Sequence, residues 1–268
     1  MQRITSAPVY LSSDLELAIE AARRAGAVIA EQYEKTKTFA VKPDGKGLVT
    51  ETDKAAERAI IDLLQANSPY AIISEESAPH EPPAGRSWII DPLDGTSNFA
   101  RQIPLFVVSI GLVEEGEAIL GVIYNPLTDE CFYAEQGKGA YLNEQPLHVS
   151  ETTDPEATIL FLNHGSHPID KQRFAWLSDR LIGQYSIRAL GATALELTYL
   201  ARGCAEGFLC SGDELWDYAA GIVLVEEAGG KVSDWQGRHW DRQNAFLLAS
   251  NGRLHEKLLQ EVVVLQDK

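Results

Sequence analysis

Residues 88–99 read Trp88-Ile89-Ile90-Asp91-Pro92-Leu93-Asp94-Gly95-Thr96-Ser97-Asn98-Phe99. Three apolar residues suited to a buried strand run straight into two carboxylates three positions apart. Pro92 fixes φ and removes a donor, so the spacing predicts a stiff turn on which Asp91 and Asp94 converge, with the Leu93 carbonyl between them. Hard cations such as Mg2+ take carboxylates, an occasional carbonyl and retained waters. Gly95 lets a ligand approach the backbone, and the Gly95 and Thr96 amides with the Thr96 hydroxyl suit phosphate oxygens. A plain type I turn is the competing reading, because Asp-Pro and Asp-Gly are common turn formers. The surrounding sequence weighs against it.

Upstream, an apolar strand at 71–73 leads into Glu75-Glu76, and Thr50 to Asp53 opens a helix with Ala56, Ala59, Ile60, Leu63 and Leu64 on one face. An earlier long helix carries Leu15, Ala18, Ile19, Ala22, Gly26, Ile29 and Tyr33, with Ser13 and Glu16 as its expected capping box. Residues 42–47 read as a turn. Downstream, apolar runs at 105–113, 118–124, 131–134 and 140–142 alternate with turn formers and predict a mainly antiparallel meander. After the polar stretch 150–156, strands at 158–162, 185–190, 205–210, 231–234 and 246–249 alternate with helices at 171–181, 191–201, 216–228 and 253–265. Asp217 stands at the opening of the third of these helices. The expected class is α+β, with an N-terminal α+β subdomain at 1–150 carrying most of the acids and a C-terminal α/β subdomain at 151–268 carrying Asp217. Four elements thus present a carboxylate at their mouth, where clefts form in layered folds.

The 268 residues hold 39 acidic and 23 basic side chains, a net charge of −16. That balance argues against nucleic-acid backbones and anionic membranes as partners. No apolar run reaches membrane-spanning length, the first residues lack a signal-peptide core, and Cys131, Cys204 and Cys210 form no paired spacing. A cytoplasmic protein with free thiols is expected. There is no GxSxG and no phosphate-binding GxxxxGK[ST], and His164 and His167 lack a metalloprotease context and read as surface or loop residues.

Residues 88–99 resemble the first signature of the inositol monophosphatase family, and Trp216-Asp217-Tyr218-Ala219-Ala220-Gly221, continuing to Gly230, resembles the second. Residues 48–53, 74–77 (with Ser74 where the family usually has Gly) and 188–193 are similar to further family segments, so the resemblance spans about 15–265. It implies a layered αβαβα sandwich and Mg2+-dependent hydrolysis of a small phosphorylated metabolite, with two or three Mg2+ per site. By resemblance, Glu75, Asp91 and the Leu93 carbonyl hold one ion, and Asp91, Asp94 and Asp217 a second, with a weaker third near Glu75. Asp53, Thr96 and Glu75 would be catalytic, the first two orienting and deprotonating the attacking water. Asp94, Gly95, Thr96, Gly191, Ala192, Thr193, Cys210 and Asp217 would face the substrate, and a homodimer is implied.

Two positions depart from the family pattern. Cys210 stands where members acting on inositol phosphate usually carry a Glu for sugar hydroxyls, with Asp213 and Glu214 nearby. Gly47 stands where an acid often precedes the Leu-Val-Thr stretch, while Lys42 matches a family lysine. Inositol 1-phosphate is the first expectation, and histidinol phosphate, fructose 1,6-bisphosphate and adenosine 3′,5′-bisphosphate stay open. A catalytically silent, regulatory or protein-binding member is the reading of another class. The five acids make up five of the sixteen excess negative charges, and bound Mg2+ would turn that cage into a site for an anion.

Overall fold

The first helix, α1 (Ser13–Tyr33), is capped by Ser12 and not by Ser13: the Ser12 hydroxyl accepts from the Leu15 amide at 3.2 Å. The computed structural model describes residues 11–35, 38–42, 48–77, 85–240 and 246–263; the turn expected at 42–47 lies outside them beyond Lys42. A short antiparallel ribbon, β1 (Phe39–Val41) and β2 (Leu48–Thr50), delivers the chain to α2 (Glu51–Asn67). The capping box sits here: Thr50 accepts from the amides of Thr52 and Asp53, and Asp53 accepts from the Thr50 amide at 2.8 Å. An acid at the third position of a helix is favoured by the dipole and by the cap alike.

The next strands are β3 (Ala71–Ser74), β4 (Arg86–Asp94), β5 (Val107–Glu114) and β6 (Glu117–Asn125), with a one-turn helix α3 (Thr96–Ala100) after β4. With β7 (Glu130–Glu135), β8 (Ala140–Leu142) and β9 (Gln145–Pro146) they make a seven-stranded sheet in chain order. It is the expected meander, with one parallel pair, β3 on β4. The stiff turn at Asp91 is corrected. The strand continues to Asp94, and its register against β5 shifts between Asp91 and Asp94. Pro92, which cannot donate to a ladder, falls where pairing is interrupted. The bulge re-aims both carboxylates without ending the strand.

After a 3-10 turn at Pro155–Ala157 come β10 (Ile159–His164), α4 (Pro168–Leu181), β11 (Ser186–Arg188), α5 (Thr193–Ala201) and β12 (Gly207–Ser211). Then follow α6 (Leu215–Glu227), β13 (Lys231–Ser233), β14 (Phe246–Ser250) and α7 (His255–Val263). The second sheet runs β11-β10-β12-β14-β13, with β10, β11 and β12 parallel and the rest antiparallel. Helices α1 and α2 cover the outer face of the large sheet, α5 and α6 lie between the sheets, and α4 and α7 cover the small one. That is the αβαβα sandwich.

Strand alternation divides the cores: Trp88 and Ile90 pack towards α1 and α2 with Ile29 and Ile60, whereas Ile89 packs inward with Leu197 and Val223. Leu160, Leu177, Trp235 and Leu258 form the third core, on the outer face of the small sheet. One contact sets the height of α6. Gly111 on β5 and Gly121 on β6 are register partners, and a Cβ on Gly121 would stand 2.2 Å from the Ala220 carbonyl oxygen. Lacking side chains, this pair lets the helix backbone rest on the sheet. Ser109, paired with Asp91 across β4 and β5, reaches the Trp216 carbonyl at 3.4 Å, so the start of α6 sits over the end of β4.

Candidate active site

Asp91 and Asp94 at the end of β4 and Asp217 in the first turn of α6 each place a carboxylate oxygen within 4.8 Å of the others. Asp91 and Asp94 are buried and Asp217 half-buried. Glu75, just past β3, hydrogen-bonds to Asp91. Burial first, then repulsion from the neighbouring acids, raises the pKa of Asp91 and Asp217 well above the carboxylate range. Burial lifts Asp94 to about 7, although its Oδ2 accepts from the amides of Ala194 and Leu195 at 2.9 and 3.3 Å. Lys42 lies 2.5 Å from Glu75 and 2.7 Å from Glu76. Burial alone would lower its pKa, but the two carboxylates outweigh that and raise it. Buried, mutually repelling carboxylates are costly without a cation. Three such groups form an all-oxygen donor set that fits a hard divalent cation such as Mg2+.

Next to the acids, the Thr96 hydroxyl stands 2.7 Å from Asp53 Oδ1 and 3.0 Å from the Leu93 carbonyl. Asp53 is fully buried, and burial raises its pKa against the bonds it accepts from Thr50 and Thr96. Gly95 begins α3 at φ +89°, where a Cβ would stand 2.7 Å from the Leu105 carbonyl, so the position requires glycine. Ser74 has a reason of its own: it and Ser77 both donate to Glu57 of α2, which ties the Glu75-Glu76 loop to that helix. Helix α5 begins at Thr193, so Gly191 and Ala192 precede it; Glu196 accepts from the Leu190 amide at 2.5 Å and Asn98 donates to the Leu190 carbonyl.

Residues 11–266 match the model of the inositol monophosphatase family. The chain belongs to that family. It is 39% identical over 253 residues to Nus factor SuhB of Salmonella typhimurium, covering 91% of this chain and 94% of that protein. It is 37% identical over 264 residues to the inositol-1-monophosphatase of Synechocystis, covering 94% and 91%. Its fold superposes on the inositol monophosphatase of Thermotoga maritima with a TM-score of 0.86 at 31% identity, over 96% and 99% of the two chains. The suhB protein of Bartonella henselae gives 0.86 at 32%, over 94% and 98%. The chain is thus a phosphomonoesterase of a metal-dependent family.

For this family member the structure brings Asp53, Glu75, Asp91, Leu93, Asp94, Gly95, Thr96 and Asp217 together from both halves of the chain. Cys210 is different: it is fully buried, and its thiol donates to Asp213. Thr193 is also buried, with its hydroxyl bonded to Asp213 at 2.6 Å. Glu75 and Asp217 also line a cleft of about 510 Å³, together with Lys42, His164, Arg173 and Asp213. His164, expected as a surface or loop residue, is not in a loop: it ends β10, half-buried, and lines this cleft. His167 is exposed and caps α4 through Nδ1. Arg173, Asp170 and Phe246 were not singled out from the sequence; they stand in helix and strand patterns that carry no motif.

Proposed function

We propose that the chain releases phosphate from a small phosphorylated metabolite with Mg2+, an inositol-1-phosphate-like ester being the first choice. The observation that carries this is the convergence of Asp91, Asp94 and Asp217 beside the Thr96–Asp53 pair. Glu75, Asp91 and the Leu93 carbonyl would hold one Mg2+, and Asp91, Asp94 and Asp217 a second, with a weaker third at Glu75. Bound there, Mg2+ supplies positive charge for the phosphate dianion and acidifies the attacking water. The Thr96 hydroxyl takes the proton of that water as its own passes to Asp53 Oδ1, 2.7 Å away. Asp53 suits this role because burial has raised its basicity. The amides of Gly95 and Thr96 and the Gly191–Ala192–Thr193 backbone orient the phosphate. No side-chain nucleophile is required, since phosphoryl transfer is dominated by positioning and charge neutralisation.

In this reading, residues 1–150 and 151–268 are two halves whose seam holds the site, and the protein is a cytoplasmic homodimer. None of the described helices is long and apolar enough to cross a membrane.

A second reading comes from the relatives named Nus factor SuhB: a regulatory role, which a net charge of −16 would route through a protein partner and not an RNA backbone. Phosphate release from a panel of sugar, histidinol and nucleotide phosphates, with Mg2+, separates the two. The phosphatase reading expects release by the native chain and its loss in an Asp94→Asn chain that still unfolds cooperatively. No release from any ester by a folded native protein leaves the regulatory reading.

A further inference from the structure

Strand β12 ends at Ser211 and the chain reverses at Gly212, whose φ is +89° and whose Cβ, if present, would stand 2.2 Å from the Asp170 carboxylate. Only glycine permits this reversal. It folds Asp213 back over the strand end, where the buried Cys210 thiol donates to its carboxylate. Thr193 Oγ1 donates to Asp213 Oδ2 at 2.6 Å and is itself held by Asn163 Nδ2 at 2.6 Å. A carboxylate anchored from two sides nevertheless lines the cleft that Asp217 also lines.

The other polar groups of that cleft sharpen what it can bind. Lys42 is engaged by Glu75 and Glu76, and Arg173 is paired with Asp170 at 3.2 Å while lying over the Phe246 ring. His164 Nδ1 must donate to the Gly165 carbonyl at 2.8 Å, so that nitrogen is already engaged. The cleft therefore offers acceptors to a ligand, and its cations are already spoken for.

We propose that Asp213 reads the leaving group, accepting a hydrogen bond from a hydroxyl or ammonium carried beside the ester. The substrates are monophosphates of donor-bearing alcohols, and a second phosphate is repelled. Cys210 and Thr193 act through Asp213 as positioning residues. The inference rests on the phosphatase reading above.

The test is steady-state kinetics with Mg2+ on inositol 1-phosphate, histidinol phosphate, phenyl phosphate, fructose 1,6-bisphosphate and adenosine 3′,5′-bisphosphate, for the native chain, Asp213→Asn and Asp213→Ala. Native kcat/KM should be highest on a donor-bearing monophosphate, the two arms showing whether the donor is hydroxyl or ammonium. Both variants should lose about 10- to 100-fold on that substrate, chiefly through KM, and stay within about twofold on phenyl phosphate, which has no donor. Asp213→Asn keeps an acceptor for Thr193 and covers the case in which Asp213→Ala does not fold. A bisphosphate as best substrate, an equal loss on phenyl phosphate, or no loss on the donor-bearing ester overturns the assignment of Asp213 while leaving the phosphatase reading standing. Absence of release from every ester, phenyl phosphate included, overturns both.

Discussion

Thr96 has one hydroxyl proton and two oxygens within reach, Asp53 Oδ1 at 2.7 Å and the Leu93 carbonyl at 3.0 Å. The shorter, charge-assisted bond to Asp53 is the stronger, and it is the one that can move a proton. Thr96→Val keeps the shape and removes the relay; kcat should fall about 10²- to 10⁴-fold with little change in melting temperature. Thr96→Ser should retain activity within a few fold, and a serine variant as inactive as the valine one would remove the hydroxyl from the mechanism. This pair was legible in the sequence because each partner lies in a recognisable motif. The bridge from Lys42 to Glu75 and Glu76 was not: 33 residues separate Lys42 from Glu75, and a lone lysine before a loop carries no signal of its partner.

Elements decide whether those residues meet. Helix α6 carries Asp217 and rests on the Gly111–Gly121 pair, so Gly121→Ala should lift it, costing about 2–3 kcal/mol and most of the phosphatase activity. Urea unfolding and phosphate release on the same preparation check both effects; an active, fully stable variant would show that the helix height is not critical. A second element-level device is His255, the first residue of α7, fully buried between Ser233 and Ser250 at 2.9 Å each. Because Ser233 donates to the Asp234 carbonyl, it accepts from Nε2, and Nδ1 accepts from Ser250. Burial pushes the His255 pKa down from 6.5 to about 4. The unfolded chain then binds more protons between those values, so stability is complete above pH 6.5 and is lost as pH falls towards 4. The depressed value corresponds to roughly 3 kcal/mol across that window. His255→Asn, neutral throughout, should flatten the pH dependence of the urea midpoint between pH 4 and 6.5 relative to the native chain.

At the scale of the molecule the acidic charge has two parts, a solvated surface and a buried cage. Asp94 in the cage and Glu76 beside it are each raised to about 7, chiefly by burial, and Asp91 and Asp217 are raised well above the carboxylate range, also by burial first. The folded, metal-free protein therefore holds protons that the unfolded chain releases, and this cluster destabilises the fold increasingly as pH rises from about 4 through 7. Mg2+ should reverse that penalty. After chelator treatment, added Mg2+ should raise the melting temperature more at pH 8 than at pH 5. At a hundredfold excess over Kd the gain is about 2.7 kcal/mol. An equal shift at both pH values would detach the metal from these carboxylates.

What the sequence determined by itself was local: the helical and alternating periods, the carboxylates at strand ends, the start of a helix at Thr50–Asp53 and the two long signatures that place the chain in its family. These are short-range properties, written in side-chain spacing and in backbone preferences of Pro, Gly and Thr. The tertiary structure alone decided that β4 runs through Asp91 to a bulge, that His164 turns into the cleft, and that Asp213 stands over Cys210 with Thr193 beside it. Those facts depend on contacts between segments distant in the chain, where the same residue reads identically whether it faces solvent, core or cleft. Only the packing of α5 and α6 between two sheets gives each of them its neighbours.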